Sequence, residues 1–404
     1  MSRKDLSSML SIVLLDEDSP LECYYKRICS MGRCIGINFD SSDVRMRLVS
    51  YMTVYPLLFI GVYFVVYVGY SVVFSTSMPQ TLAVSITIFM FHVQALISTV
   101  FVVQWQKTGS IRRFIECLKM PQNGQGVNRY RHSLLKQLMA AFTMTILVLL
   151  YTIAKFGIFM SGKNITSIDR IVIESFGSRG SYIIPLISQE YNLFVWNLSI
   201  LLYVFCVEVT FYEIRYFNRS IRSLSGISED SLCAEISTAI KKHSDIAIAV
   251  RSLDRIFKRF AFMMIASSIP SLLFCLYVVF SRLNSSIEEK LIMVPALLYL
   301  LYSFFSLTTV PAKLHDEITK TKSAFYENTQ IWFPYRPSVY NAAIAFCSHL
   351  DQTNLGISIW GFALLSRPLI LTTLSVMATC LAFLLQFRGY ESRHPHCPCN
   401  CSTL

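Results

Sequence analysis

The sequence is short of charge, and it lacks the motifs that mark common catalytic and zinc sites. Charged residues make up 15% of its 404 residues, whereas a soluble domain carries about 25%. Hydrophobic residues make up 53%, and the mean hydropathy is +0.49. No HExxH motif, nucleophile elbow or pair of CxxC motifs occurs, so no hydrolase site or four-cysteine zinc site is indicated. We predict a membrane protein that is not an enzyme.

A secretory signal peptide is also missing from the pattern. The apolar run Met9–Leu15 is short, and three acidic residues, 16–18, follow it directly. A signal peptide instead ends its apolar core at a cleavage site of small residues. We therefore expect the first long apolar segment to act as its own membrane signal.

Histidine and cysteine side chains cluster near the C-terminal end. Both residue types bind metals, but the ends of a chain are usually untethered. We therefore predict no cofactor and favour an untethered tail without a metal site, whose cysteines oxidise or stay inert; metal binding by the cluster is left open as the alternative. The cluster comprises His394, His396, Cys397, Cys399 and Cys401.

Seven apolar segments are long enough to cross a membrane, which takes about 20 predominantly apolar residues in a helix. The predicted fold is an all-α membrane protein with seven transmembrane helices and with helical cytosolic extensions. The segments are approximately 50–74, 82–104, 136–160, 181–211, 259–281, 290–311 and 357–387.

Lysine and arginine are divided unequally between the two sets of connecting segments. With Lys136, Arg259 and Lys290 at the span ends counted in the adjoining loops, the N-terminal segment and the second, fourth and sixth loops hold 27 of them, whereas the other loops and the tail hold seven. Because cytoplasmic segments carry the excess of basic residues, we predict a cytoplasmic N-terminus and an extracellular C-terminus. The predicted regions are a cytosolic segment 1–49, a membrane domain 50–387 with a cytosolic helical anchor at about 205–258 and 312–356, and a tail 388–404.

Two glycosylation acceptors agree with this orientation. Asn164 and Asn284 each begin an Asn-x-Ser/Thr motif and lie in loops that are predicted to be outside. The orientation disfavours a metabotropic seven-helix receptor, whose N-terminus is extracellular. The odd number of spans and the lack of an internal repeat disfavour a transporter. The basic loops flank membrane helices without interleaved aromatic residues, so anionic inner-leaflet lipid suits them better than nucleic acid.

A stripe of polar side chains runs along the last apolar segment. On an α-helix, which turns about 100° per residue, four of them fall within an arc of about 60°: Thr372, Ser375, Thr379 and Gln386. Lipid cannot satisfy such a stripe, so it faces protein or water. One explanation is hydrogen bonding between helices of one subunit. The other is a pore lined by this helix from several copies, in which Phe387 suits a hydrophobic gate.

The same segment resembles the seventh-helix signature of insect gustatory receptors. Residues 379–387 have the sequence Thr-Cys-Leu-Ala-Phe-Leu-Leu-Gln-Phe, and the family's signature is Thr-Tyr, five apolar residues, then Gln-Phe. Cys380 is the departure from that pattern. The preceding residues 361–367 also resemble the segment that leads into this helix in the family. The predicted spans and orientation agree with the family's architecture along the whole chain.

This resemblance implies a tastant-gated cation channel. Members of the family are similar to insect odorant receptors, in which each of four subunits contributes its seventh helix to a central pore. By this likeness Gln386 and Phe387 would form the gate, and Thr379 and Phe383 would lie in the pore. The cytosolic extensions would join the subunits of a homomer or heteromer, unless their apolar faces lie on the inner leaflet. The location would be the plasma membrane, in the dendrite of a gustatory neuron.

The resemblance also implies a small-molecule site that opens outward between the outer halves of several helices. Such sites are lined by aromatic residues and a few polar groups. Lys155 and Glu190 are the costliest charges at that depth and are a candidate pair. The full candidate set is His92, Gln94, Tyr151, Lys155, Gln189, Glu190, Asn192, Trp196, Ser268, Ser271, Phe274 and Tyr299.

One residue bears on the class of ligand. Leu381 follows the Thr-Cys pair, where the sugar receptors of this family tend to carry an acidic residue. A bitter-type or otherwise divergent receptor is therefore favoured, with the fructose-sensing branch left open. A co-subunit that gates but binds no ligand is the remaining alternative.

Overall fold

The structure is a computed structural model, and it describes residues 20–39, 44–74, 79–122, 125–160, 179–226, 228–281, 287–352 and 354–391. The predicted glycosylation acceptors Asn164 and Asn284 lie outside the described residues. The histidine and cysteine cluster of the tail lies outside them as well.

Almost all of the described chain is helical, which confirms the all-α prediction. In chain order the helices are α1 Pro20–Cys34, α2 Val44–Phe74, α3 Pro79–Thr108, α4 Ser110–Gln122, α5 Gln125–Arg129, α6 Arg131–Met160, α7 Arg179–Arg222, α8 Glu229–Ser281, α9 Ile287–Tyr326, α10 Thr329–Trp332, α11 Pro337–Gln352 and α12 Arg367–Glu391. Between α11 and α12, the strands β1 Ser358–Ile359 and β2 Ala363–Leu364 pair in antiparallel fashion.

Within the described residues, six helices contain a segment long and apolar enough to span a membrane. These segments are Leu48–Tyr70, Ile86–Thr108, Glu190–Arg222, Glu229–Phe280, Val294–Tyr326 and Arg367–Gln386. Helix α6, with 30 residues, covers the remaining predicted span, 136–160. The chain is thus a multi-pass membrane protein, whereas the side of the membrane on which each terminus lies stays a prediction.

Helix α8 extends far beyond the membrane. It is one continuous helix of 53 residues, of which 260–281 carry no charge. At 1.5 Å per residue this uncharged part measures about 33 Å, enough to cross a hydrocarbon core of about 30 Å. The part from Glu229 to Arg259 therefore lies outside the hydrocarbon, where a helical extension is predicted.

Helix α12 begins ten residues later than the predicted span 357–387. Residues 357–366 form the β-hairpin instead, with positive φ angles of 52° at Trp360 and 89° at Gly361 in its turn. Left-handed backbone is incompatible with a continuing α-helix. Pro368 then occupies the first turn of α12, where its missing N–H costs nothing.

Helix α7 lies at the centre of the bundle. It packs against α2, α3, α6, α8 and α9, and every residue from Val195 to Thr210 is buried. The ring of Tyr203 meets Phe257 edge-on at 5.2 Å, and its hydroxyl donates to the Leu307 carbonyl at 3.2 Å. Helix α12 packs mainly on α8 and α9 and lies at the edge of the subunit.

A polar network joins α7 to α9 beyond their apolar parts. The Asn218 amide donates to the backbone oxygen of Glu317 at 2.8 Å, and the Thr321 hydroxyl donates to Asn218 Oδ1 at 2.7 Å. Asn328, after α9, donates to the carbonyls of Ile221 and Leu224 at the end of α7. These bonds make the extensions a packed unit, as an anchor requires.

Candidate ligand site and pore helix

Three aromatic rings from three helices meet inside the bundle. Trp196 of α7 lies edge-on to Tyr299 of α9, with ring centroids 4.8 Å apart. Phe91 of α3 meets Trp196 at 5.6 Å and Tyr299 at 6.5 Å. Trp196 and Tyr299 are both buried. We call these three rings the aromatic cluster; two of them are predicted site residues.

Three buried polar atoms in the aromatic cluster or one turn from it have no hydrogen-bond partner among the described residues. They are Nε1 of Trp196, the hydroxyl of Tyr299 and the hydroxyl of Ser303, one turn after Tyr299 on α9. Buried polar groups in proteins are nearly always paired, and each exception needs an explanation. A bound small molecule that accepts or donates hydrogen bonds would supply these partners.

A second polar contact inside the bundle joins Gln94 of α3 to two serines of α8. The Gln94 amide Nε2 donates to Ser271 Oγ at 3.0 Å and lies 3.5 Å from Ser268 Oγ. All three side chains are buried, and Gln94 Oε1 has no partner among the described residues. Phe274 lies one turn beyond Ser271 and is half-buried. The structure thus pairs three predicted site residues, with an acceptor left over.

Asn192 belongs to a network that is satisfied within the protein. Its amide donates to the Ser188 carbonyl at 2.9 Å, and its Oδ1 accepts from the Thr99 hydroxyl at 2.8 Å. The Ser188 hydroxyl extends this network by donating to the Leu57 carbonyl on α2. A Cβ at Gly61 would approach the Asn192 amide to 2.8 Å, so α2 and α7 are in close contact here. These contacts give Asn192 a role in packing.

His92 lies on a different side of α3 from Phe91. Its ring meets Phe64 of α2 at 4.6 Å, and its Nδ1 is 2.7 Å from the Ile88 carbonyl one turn earlier. The structure therefore places His92 toward α2 and away from the aromatic cluster.

The remaining candidates lie on α6 and at the start of α7. Glu190 is half-buried. The side chains of Tyr151, Lys155 and Gln189 lie outside the described part of the chain, so the predicted pair between Lys155 and Glu190 stays a prediction.

Two members of the site were missed by the sequence analysis. Ser303 follows Tyr299 by four residues, a spacing that puts both on one helix face, and this signal was available. Phe91 is one apolar residue among many in α3, and nothing local distinguishes it.

The polar stripe of α12 lies on the exposed side of the helix. Thr372, Ser375, Thr379 and Gln386 are all exposed, whereas Ile370 and Met377 on the opposite side are buried. The hydroxyls of Thr372 and Thr379 donate to carbonyls four residues earlier, at 2.9 and 3.0 Å. No hydrogen bond from the stripe to another helix occurs among the described residues.

Of the two aromatic residues predicted for the pore and its gate, Phe383 and Phe387, the structure describes only the side chain of Phe383. Phe383 is exposed by 58% and lies one turn after Thr379, on the side of the stripe. Phe387 lies within α12, but its side chain is outside the described part. A lone subunit therefore presents Phe383 outward, as a pore residue requires.

Two charged contacts hold the start of α12 to neighbouring helices. Asp254 of α8 accepts from the backbone N–H and the hydroxyl of Ser358, at 2.7 and 2.8 Å. Arg367, the first residue of α12, is paired with Asp316 of α9 at 2.5 Å. Helices α8 and α9 also carry Ser271 and Tyr299, so the polar groups of the candidate ligand site are one helix away from α12.

Comparison with known proteins agrees with this architecture. The family model described as 7tm chemosensory receptor matches residues 25–390. No curated protein sequence matches the chain. The chain is similar to the structure of the insect olfactory receptor OR5 from Machilis hrabei in complex with eugenol, with a TM-score of 0.67 and 14% identity, and to a second structure of that receptor, with a TM-score of 0.68 and 12% identity. Each match covers 91% of this chain and 98% of the other.

At such identities the likeness to olfactory receptors shows the fold alone. The family match is independent of it and covers nearly the whole length, and it confirms the relationship to insect chemoreceptors that the seventh-helix signature predicts. This chain is a member of the 7tm chemosensory receptor family.

Proposed function

We propose that the chain is a subunit of a gustatory receptor that acts as a tastant-gated cation channel in the plasma membrane. A small molecule binds at the aromatic cluster, and α12 from each of four copies lines a central pore. Gln386 and Phe387 lie at the gate, with Thr379 and Phe383 in the pore wall.

The observation that carries this proposal is the position of the polar stripe on α12. The stripe occupies the middle of the exposed side, and its described hydroxyls bond only within the helix. Lipid cannot satisfy a glutamine such as Gln386, which has four hydrogen-bonding positions on its amide. Water in a pore shared between copies satisfies the whole stripe at once.

The ligand site is supported by buried polar atoms of Trp196, Tyr299, Ser303 and Gln94 that find no partner in the described part of the chain. Aromatic faces and a few convergent polar groups are the usual lining of a small-molecule site. A ligand with an apolar ring and one or two polar groups fits this combination. Leu381, in place of an acidic residue, favours a bitter-type or divergent ligand over a sugar.

The experiment that tests the function is whole-cell recording in a cell line without endogenous chemoreceptors. Sugars, bitter alkaloids and amines are applied while surface staining confirms delivery. We expect fast inward current that persists when G-protein signalling is blocked. Current that disappears with G-protein block would contradict the channel and favour a metabotropic receptor; silence despite surface staining would contradict the homomer and favour a co-subunit that requires a partner.

A matched pair of substitutions tests the pore. Thr379 lies on the exposed stripe, whereas Thr373 is half-buried beside it, and each hydroxyl bonds to the carbonyl four residues earlier. We expect Thr379→Val to change the permeability ratio between sodium and calcium, because it removes a hydroxyl from the pore wall. Thr373→Val is the control and should leave the ratio unchanged. The same sodium-to-calcium permeability ratio in both variants would contradict a pore lined by Thr379.

A further inference from the structure

Three arginines form an exposed stripe on α8. Arg251, Arg255 and Arg259 are spaced by four residues, and all three are exposed. At about 100° per residue they fall within an arc of about 80°, and Phe262 lies inside the same arc. None of the three is paired with a carboxylate among the described residues. The stripe is therefore free to bind an anion from outside the subunit.

The depth of the stripe follows from the uncharged part of α8. Arg259 is the last charged residue before residues 260–281, which cross the hydrocarbon core. Arg255 and Arg251 follow at about 6 and 12 Å along the helix axis. Arg259 and Arg255 thus lie at the level of the lipid headgroups, and Arg251 lies close to a Debye length from that surface.

The β-hairpin before α12 presents aromatic residues at the same level. Trp360 is 47% exposed and Phe362 is 84% exposed. The hairpin lies directly before Arg367, and residues 368–387 of α12 are again uncharged and about 30 Å long. Tryptophan and other aromatic residues at this level are typical of the interface between water and membrane.

The hairpin contacts α8 beside the arginine stripe, through Phe262 and Lys258. The ring of Trp360 meets Phe262 of α8 edge-on, with ring centroids 5.0 Å apart. The backbone N–H of Trp360 donates to the Lys258 carbonyl at 3.4 Å. Trp360 is the one described residue other than glycine with a positive φ angle, a conformation that costs energy in a bulky residue. The strained turn thus places the ring of Trp360 on the side of α8 that carries the arginines, with the exposed Phe362 two residues later.

We infer that this surface, formed by Arg251, Arg255, Arg259, Trp360 and Phe362, binds an anionic phospholipid of the adjacent leaflet. The arginines bind the phosphate through charge-assisted hydrogen bonds, and the aromatic rings lie among the first acyl carbons. The charge is complementary to a cytoplasmic leaflet, which is the anionic one and the one that the distribution of basic residues predicts for this end of α8. A zwitterionic lipid lacks the net negative charge that the three arginines attract.

The lipid also touches the segment that leads into α12. Ser358 of the hairpin is bonded to Asp254, and Arg367 to Asp316, so the hairpin, α8, α9 and α12 meet here. Lipid bound at this surface is positioned to hold the hairpin in place independently of the tastant.

Quenching of tryptophan fluorescence by brominated lipid tests the inference on the full chain reconstituted in vesicles. The sequence has four tryptophans; Trp105 and Trp196 are buried, and the difference between the wild type and Trp360→Phe isolates Trp360. We expect brominated phosphatidylserine, at one fifth of a phosphatidylcholine bilayer, to quench Trp360 more strongly than the same fraction of brominated phosphatidylcholine. The relative binding constant should favour the anionic lipid about five-fold per contacting arginine.

Two double variants that lose the same charge distinguish lipid binding at this surface from an effect of the net charge of the chain. Arg255→Gln with Arg259→Gln should abolish the preference for phosphatidylserine. The pair Lys241→Gln with Lys242→Gln lies about 23 Å further along α8, measured between the midpoints of the two pairs, and should leave the preference intact. Equal quenching by both lipids in the wild type, or no quenching of Trp360 by either, would overturn the inference; the latter would show that protein covers the hairpin.

Discussion

Helices α7 and α12 both contain an apolar membrane segment, but their surroundings are opposite. In the most apolar stretch of α7, 89% of the residues are buried inside the subunit, compared with 11% in that of α12. Helix α7 is surrounded by five other long helices, whereas α12 rests on two. The difference shows that the subunit surrounds α7 with its own chain and leaves most of α12 exposed.

The hydrogen bonds of the polar side chains differ between α7 and α12 in the same way as the burial of the two helices. In α7 the Tyr203 hydroxyl bonds to α9, and the Asn192 amide is bonded on both sides. In α12 the hydroxyls of Thr372 and Thr379 bond back to their own helix, and the stripe faces outward. A polar face that points out of a membrane subunit requires water or a second copy, and a pore formed by several copies supplies both.

The largest expected effect comes from one substitution made in each helix. Leu202 of α7 is fully buried, and Leu371 of α12 is 65% exposed. Leu202→Ala should lower the free energy of unfolding by about 2–4 kcal/mol, because it leaves a cavity in close packing. Leu371→Ala should leave the stability of a single subunit nearly unchanged. Thermal unfolding in detergent measures both.

Assembly provides the second half of this comparison. If α12 is completed by other copies, Leu371→Ala should weaken the oligomer on size-exclusion chromatography while each subunit stays folded. Equal destabilisation of the subunit by both substitutions would contradict the division between the two helices.

The next effect concerns the joint between the bundle and α12, by which we mean the Asp254–Ser358 hydrogen bonds and the Asp316–Arg367 ion pair. Asp254→Asn should weaken both bonds to Ser358, because bonds to a charged acceptor are worth more than neutral ones. Arg367→Gln removes an exposed ion pair, which contributes less. We therefore expect Asp254→Asn to shift the ligand concentration for half-maximal current further than Arg367→Gln. Dose–response curves at matched surface expression measure this.

The partner of Arg367 permits a swap as control. Asp316→Arg combined with Arg367→Asp should recover the wild-type dose–response curve that either change alone shifts. Unchanged curves in all of these variants would show that the joint does not transmit the signal from the bundle.

The smallest effect distinguishes a satisfied hydroxyl from an unsatisfied one. Tyr203→Phe removes a bond to the protein and should lower stability by about 1 kcal/mol without changing ligand sensitivity. Tyr299→Phe removes a hydroxyl that has no described partner, so stability should not fall. The ligand concentration for half-maximal current should instead rise about 2- to 10-fold. The reverse pattern would contradict ligand binding at the aromatic cluster.

The sequence predicts the helices of this fold better than the contacts between them. Runs of apolar residues locate the long helices because a membrane span has a fixed length, and the stripe on α12 follows from helix geometry alone. The hairpin at 357–366 was missed, because Ile357 to Leu365 is as apolar as a membrane helix and only the backbone angles at Trp360 and Gly361 interrupt it.

The candidate site was predicted in part, for a related reason. Trp196 and Tyr299 are conspicuous as amphipathic aromatic residues inside membrane helices, and Gln94 is conspicuous as a buried amide. Their contact with Phe91 depends on how α3, α7 and α9 pack, which no local pattern encodes. The same packing directs His92 toward α2, although its depth in the membrane resembles that of Gln94.

The accessibility of α12 to water tests the central claim most directly. Single cysteines are introduced along α12 in a background in which the exposed Cys380 is replaced by serine, and a charged thiol reagent is applied during recording. Our account predicts that cysteines at Thr372, Ser375, Thr379 and Gln386 react and reduce the current, whereas those at Ile370 and Met377 do not. Reaction at the buried positions with none along the stripe would contradict a pore lined by this helix.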